Sequence, residues 1–147
     1  MKYAIFRRTF NAASALGCAL LVAASAQAGQ GTTAQGYRYS SGGISDEEQT
    51  ALRAQRQRFT LWIVTAASKT GAYLADVRVK VTDAERRVVF DGALDGPWLF
   101  VDLPAGPYLV EATLEGNRQH RVTTIHPGDH HEVYFYFNAD ADVHGSR

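Results

Sequence analysis

The stretch VRVKVT at residues 77–82 alternates valine with polar side chains. Successive side chains of a β-strand point to opposite faces of a sheet, so this pattern places three valines in a core and the polar residues in water. The stretch YLVEATL at residues 108–114 repeats the pattern with Tyr108, Val110, Ala112 and Leu114 on one face. Both segments therefore predict strands of a sheet with one buried and one solvated side.

Working outward from these two segments, short runs rich in β-branched and aromatic residues recur with turn residues between them. Seven such runs cover residues 59–67, 77–82, 87–90, 98–103, 108–114, 119–125 and 132–137. No helical period interrupts them. We therefore predict an all-β fold, a seven-stranded antiparallel β-sandwich over residues 58–138.

The chain before the first strand divides into two parts. Residues 29–44 are mainly glycine, serine, threonine and glutamine, which bury too little apolar surface to offset the entropy of ordering, so we predict a flexible leader. Ser45 followed by Glu48 forms a capping box, which predicts a short N-terminal helix over residues 45–57. We expect residues 139–147 to be a disordered tail.

Residues 1–28 have the pattern of a cleaved signal peptide: basic residues, an apolar run and then Ala26-Gln27-Ala28. Cleavage after Ala28 predicts a periplasmic or secreted protein with no membrane span in the mature chain. Three of the 15 basic residues and none of the 15 acidic residues lie in this segment, so the remainder is acidic by three charges. That balance gives no reason to expect nucleic acid as a partner. The single cysteine, Cys18, also lies in this segment, so disulfides cannot stabilise the mature domain.

Three features occur in an order that resembles a known family: GAYLADVRV at residues 71–79, LPAGPY at residues 103–108, and a final hairpin. Together they are similar to the carboxypeptidase regulatory-like domain, which has the transthyretin-like (prealbumin-like) β-sandwich fold, here in a small exported protein of bacterial type. The resemblance implies a seven-stranded sandwich and, usually, a module without catalysis of its own.

The last predicted turn is rich in histidine. His126, Asp129, His130 and His131 cluster there, and either a three-residue or a four-residue loop would bring His126 opposite a second imidazole. One interpretation is a zinc or copper site. The other is a set of solvent-facing turn residues without a cofactor.

An aromatic series lies on the strand faces opposite the aliphatic residues, so both faces of some strands are apolar. Its members are Trp62, Trp98, Phe100, Tyr134 and Tyr136. Either the helix and leader cover this outer face, a bulge changes the strand parity, or Trp62, Phe100, Tyr134 and Tyr136 form an exposed patch that binds a ligand or partner.

Catalytic patterns are weak. One branch of the transthyretin-like fold hydrolyses 5-hydroxyisourate with a C-terminal Tyr-Arg-Gly-Ser, whereas this chain ends His144-Gly145-Ser146-Arg147. No Gly-x-Ser-x-Gly motif occurs. We predict no catalytic residues and no enzyme activity, but an exported binding module for an envelope protein or small ligand. A periplasmic metal-binding protein is the alternative, and a hydrolase of transthyretin-like type ranks third.

Overall fold

The computed structural model describes residues 29–139, in which the alternating segments form strands as their periodicity requires. The predicted signal peptide and residues 140–147 of the predicted tail lie outside the described residues. One helix, α1 (Asp46–Gln55), precedes a 3-10 turn (Arg56–Arg58). The strands of this region are β1 (Gln30–Thr32), β2 (Arg38–Gly42), β3 (Leu61–Ala67), β4 (Arg78–Asp83), β5 (Val88–Ala93), β6 (Trp98–Val101), β7 (Gly106–Leu114), β8 (Asn117–Ile125) and β9 (His131–Phe137).

These strands form two sheets, which confirms the predicted all-β sandwich. The five-stranded sheet has the order β1-β2-β6-β3-β9, and the four-stranded sheet has the order β5-β4-β7-β8. The main core lies between the sheets, where Val79 and Val81 are fully buried while Arg78 on the other face is exposed. The valine alternation at residues 77–82 therefore predicted the correct faces of this strand.

The structure has nine strands in its described part rather than seven, because β1 and β2 lie within residues 29–44. The prediction of a flexible leader is wrong at these strands. The backbone of β2 pairs antiparallel with β6, which makes hydrogen bonds that composition does not reveal. Tyr39 also packs edge-to-face on Phe90 with the ring centroids 5.2 Å apart, so one aromatic anchors an otherwise polar segment.

The predicted final hairpin is also wrong. β8 belongs to the four-stranded sheet and β9 to the five-stranded sheet, where β9 runs parallel to β3. The connection at residues 126–130 therefore crosses from one sheet to the other. The crossover allows Val133, Phe135 and Phe137 to complete the core from the second sheet, so the sandwich is not wholly antiparallel.

The LPAGPY segment turns the chain into β7 as its composition suggests. Gly106 has φ of +150°, a conformation that favours glycine. Tyr108 then points into the core, and its hydroxyl donates a hydrogen bond of 2.8 Å to the carbonyl oxygen of Pro104. The proline, glycine and tyrosine thus fix one turn together.

Helix α1 begins with the predicted capping box, since the Ser45 hydroxyl accepts from the Glu48 backbone N–H at 3.2 Å. The Glu48 carboxylate in turn accepts from the backbone N–H of Gly43 and Ile44. The α-helix ends at Gln55, two residues before the predicted end, where the 3-10 turn takes over. The helix buries Leu52 against the outer face of the five-stranded sheet and there forms a second, smaller core.

Candidate functional site

The outer face of the five-stranded sheet is apolar, as the strand parity indicated, but the helix covers only part of it. Trp62 and Phe100, in the central strands β3 and β6, are 8% and 3% exposed. Tyr134 and Tyr136, in the edge strand β9, are 43% and 49% exposed. The four residues predicted as one patch therefore divide into two buried and two exposed side chains.

Trp62 is held in the second core by its polar neighbours. Its indole N–H donates to the carbonyl oxygens of Phe59 and Arg56 at 3.0 and 3.1 Å. The Arg56 guanidinium lies 3.7 Å from the ring centroid, and the His130 ring stacks on Trp62 at 5.2 Å. Because its ring and its N–H are both engaged, Trp62 is a packing residue.

A cleft of about 180 Å³ opens where the helix cover ends. We call it the aromatic cleft. Apolar side chains of the sheet form its floor, and residues of α1, the 3-10 turn, β9 and the loop between β3 and β4 form its walls. The lining residues are Arg53, Arg56, Val64, Tyr73, Trp98, Phe100, Glu132 and Tyr134.

Two aromatic residues of the cleft lie outside the four predicted as a patch. Tyr73 is 50% exposed, and its ring meets Trp98 edge-on with the centroids 5.8 Å apart. A bridge between Tyr73 and Ala66 fixes the loop against β3. Trp98 shares the strand parity of the aromatic series, so the sequence predicted its place on this face. Tyr73 lies in a loop, where no periodicity predicts which way a residue faces.

The polar wall of the cleft is an interlocked set of hydrogen bonds. One Glu132 carboxylate oxygen accepts from Arg56 at 2.9 Å, and the other accepts from the Tyr134 hydroxyl at 2.7 Å. The hydrogen bond to Glu132, helped by partial burial, raises the pKa of Tyr134 to about 12. The phenol therefore keeps its proton near neutral pH and acts as a donor rather than a base.

The histidine-rich segment does not bring its four candidate residues together. The His130 ring turns to the second core, where Nδ1 lies 2.7 Å from the Phe59 carbonyl oxygen. His126 and His131 have ring centroids 6.2 Å apart, and the nearest Asp129 oxygen is 4.0 Å from His131 Nε2. Among residues 29–139, no group of three or more His, Cys, Asp or Glu side chains is placed to hold a metal ion.

No protein-family model matches the chain, and a search of curated proteins finds no match. The resemblance to carboxypeptidase regulatory-like domains therefore stays a prediction from the quoted motifs. Within the described part of the chain, no helix is both long enough and apolar enough to cross a membrane. The fold and the site together describe an all-β sandwich with a partly uncovered aromatic face.

Proposed function

We propose that this protein is an exported, non-catalytic binding module that holds an envelope partner at the aromatic cleft. The observation that carries the proposal is the division of the outer face. Trp62 and Phe100 are buried in the second core together with Leu52 of the helix, yet Tyr73, Tyr134 and Tyr136 stay about half exposed beside an open cleft. Exposed aromatic residues grouped around a depression mark interaction sites on folded proteins.

The size of the cleft favours a protein partner over a free small molecule. Pockets that enclose drug-sized ligands have volumes of roughly 300–1,000 Å³. The aromatic cleft, at about 180 Å³, takes one ring or one side chain. A partner that inserts a single anchor and covers the surrounding tyrosines suits this shape better than a cofactor that must be enclosed.

The side chains of the cleft are suited to contact rather than to chemistry. The two Glu132 oxygens are engaged by Arg56 and Tyr134. Tyr134 and Tyr136 stack on each other with centroids 6.0 Å apart, so little rotamer freedom remains to be lost on binding. Tyrosine, tryptophan and arginine are also the residues most enriched at binding hot spots.

Export is the other half of the proposal, and the pattern of residues 1–28 supports it. N-terminal sequencing of the protein recovered from an expressing bacterium tests it. We expect the mature chain to begin at Gly29 in the periplasmic or secreted fraction. A chain recovered with Met1 still attached contradicts this half alone.

The binding half is tested by capture from an envelope extract with tagged protein. We expect Tyr134→Ala combined with Tyr136→Ala to leave the fold intact and to weaken capture by about 10-fold or more, the range of a binding hot spot. The matched control is Arg78→Ala combined with Lys80→Ala on the four-stranded sheet, which should capture like the unmodified protein. Equal capture by both double variants moves the binding surface away from the cleft.

A further inference from the structure

The aromatic cleft contains one cation that the described protein does not neutralise. Arg56 is paired with Glu132, whereas Arg53 makes no ion pair with any residue of 29–139. Within residues 29–139, Arg53 Nη2 donates a hydrogen bond of 3.2 Å to the side-chain oxygen of Gln49. Since a guanidinium carries five N–H donors, most of its donors stay open to a ligand.

Arg53 lies beside the aromatic surface rather than apart from it. Its guanidinium carbon is 5.1 Å from the Trp98 ring centroid, so the cation and the floor of the cleft face the same space. A group that enters the cleft therefore meets an aromatic surface and a positive charge together. Glu132 does not cancel this charge, because Arg56 and the Tyr134 hydroxyl already bind its two oxygens.

The two tryptophans of this face also differ in their hydrogen bonding. The Trp62 N–H donates to two carbonyl oxygens within the second core. The Trp98 N–H has no acceptor among the described residues and is not sealed from solvent. Trp98 thus keeps a donor for a carbonyl or carboxylate oxygen of a bound partner.

We propose, on the basis of the proposed function, that the cleft takes a partner segment in which an aromatic side chain is flanked by Asp or Glu. The aromatic ring fills the cleft against Trp98 and Tyr73, and the neighbouring carboxylate pairs with Arg53. Charge complementarity selects this partner over a basic or neutral segment. A membrane surface needs a cluster of basic residues, whereas this cleft has two arginines and one glutamate.

The test uses three peptides that differ only in the flanking side chains: acetyl-Glu-Phe-Glu-amide and its Gln and Lys counterparts. Each is titrated into nitrogen-15-labelled protein, and the two indole N–H signals are followed by nuclear magnetic resonance. We expect the Trp98 signal to shift and the Trp62 signal to stay, with the dissociation constant rising from the acidic to the neutral to the basic peptide. The acidic and neutral peptides should differ by up to about fivefold, as for an exposed ion pair.

Arg53→Gln removes the charge and keeps a helix-forming residue of similar length. In this variant the acidic and neutral peptides should bind alike. Lys80→Gln, on the opposite sheet, is the matched control and should retain the preference for the acidic peptide. Added salt should weaken binding of the acidic peptide to the unmodified protein but should not weaken binding of the other two peptides. This tests the role of charge without any substitution.

Three results overturn the inference. One is equal affinity for the acidic and neutral peptides, another is a stationary Trp98 signal, and the third is Arg53-dependent binding to phosphatidylglycerol vesicles without binding to any peptide. These outcomes are distinct from failure of the proposed function. If capture depends on Tyr134 and Tyr136 but the peptides show no acidic preference, the binding surface stands and only the chemistry assigned to its partner is wrong.

Discussion

The outer faces of the two sheets differ in chemistry: the four-stranded sheet presents charged side chains to solvent, whereas the five-stranded sheet presents aromatic side chains. On the four-stranded sheet, ion pairs such as Arg78 with Asp91 at 2.9 Å and Lys80 with Glu111 at 3.8 Å lie in water. On the five-stranded sheet, aromatic side chains occupy the equivalent positions, and helix α1 covers only some of them. A solvated face needs no cover, whereas an apolar face left partly open is ready to bind. This difference is why we place the proposed binding surface on the five-stranded sheet.

The largest expected effect is a loss of stability on substitution of Val79, whose burial defines the inner face of β4. Val79→Asn should destabilise the domain by about 4 kcal/mol, because it removes a buried valine and places an amide in the core. Lys80→Asn, one residue later, should cost less than about 1 kcal/mol. Asparagine is chosen because an acid at position 80 would face Glu111. Urea unfolding of the two variants measures the gap, and equal midpoints would show that the faces are assigned wrongly.

The next effect separates the covered part of the aromatic face from its open part. Phe100→Ala should cost about 3 kcal/mol, because Phe100 is buried beneath the helix. Tyr136→Ala, on the open edge, should cost less than about 1 kcal/mol. Thermal unfolding of both variants provides the comparison. A large loss of stability in Tyr136→Ala would mean that this side chain serves to pack the fold rather than to bind a partner.

A smaller effect is the titration of Tyr134. Its raised pKa means that the hydrogen bond to Glu132 stabilises the fold fully below the ordinary tyrosine value, and this stabilisation is lost as pH rises through about 12. Glu132→Gln removes the charged acceptor, so the pKa of Tyr134 should fall toward its ordinary value of 10.0. Ultraviolet absorbance during alkaline titration, with Tyr134→Phe to assign the signal, measures the shift. An unchanged titration in Glu132→Gln would contradict the role of this hydrogen bond.

The smallest expected effect is on the solvated sheet. Glu111→Gln removes the acid that lies 3.8 Å from both Lys80 and Arg118, yet it should change stability by less than about 0.5 kcal/mol, because exposed ion pairs contribute little. Chemical denaturation at low and high salt checks this. A loss of 2 kcal/mol or more would show that the charged face is a structural network rather than a solvated surface.

Much of the sandwich was predictable because the core strands have a clear period of two. The alternation at residues 77–82 and the turn at residues 103–108 gave correct faces and a correct inward tyrosine. The parallel direction of β9 was not predictable, because periodicity carries no information about strand direction. β1 and β2 were missed because backbone pairing holds them, β1 to β2 and β2 to β6, and composition does not reveal this pairing.

The sequence predicted which face of the sheet the aromatic residues occupy, but not which of them are exposed to solvent. Strand parity placed Trp62 and Phe100 on the outer face correctly. The composition of the helix, which has little apolar surface, did not predict how much of that face is buried beside it. Tyr73 was not among the predicted patch residues because loop positions have no period. The stacking of His130 on Trp62 depends on the crossover between the sheets, which the predicted hairpin did not include.

We place the proposed binding surface on the uncovered aromatic part of the five-stranded sheet. Hydroxyl-radical footprinting of the protein, alone and bound to its captured partner, tests it most directly. We predict that Tyr73, Tyr134 and Tyr136 are oxidised in the free protein and protected in the complex, while Phe100 reacts slowly in both. Unchanged oxidation of these tyrosines, with protection instead at Val122 or His120 on β8, would contradict the account.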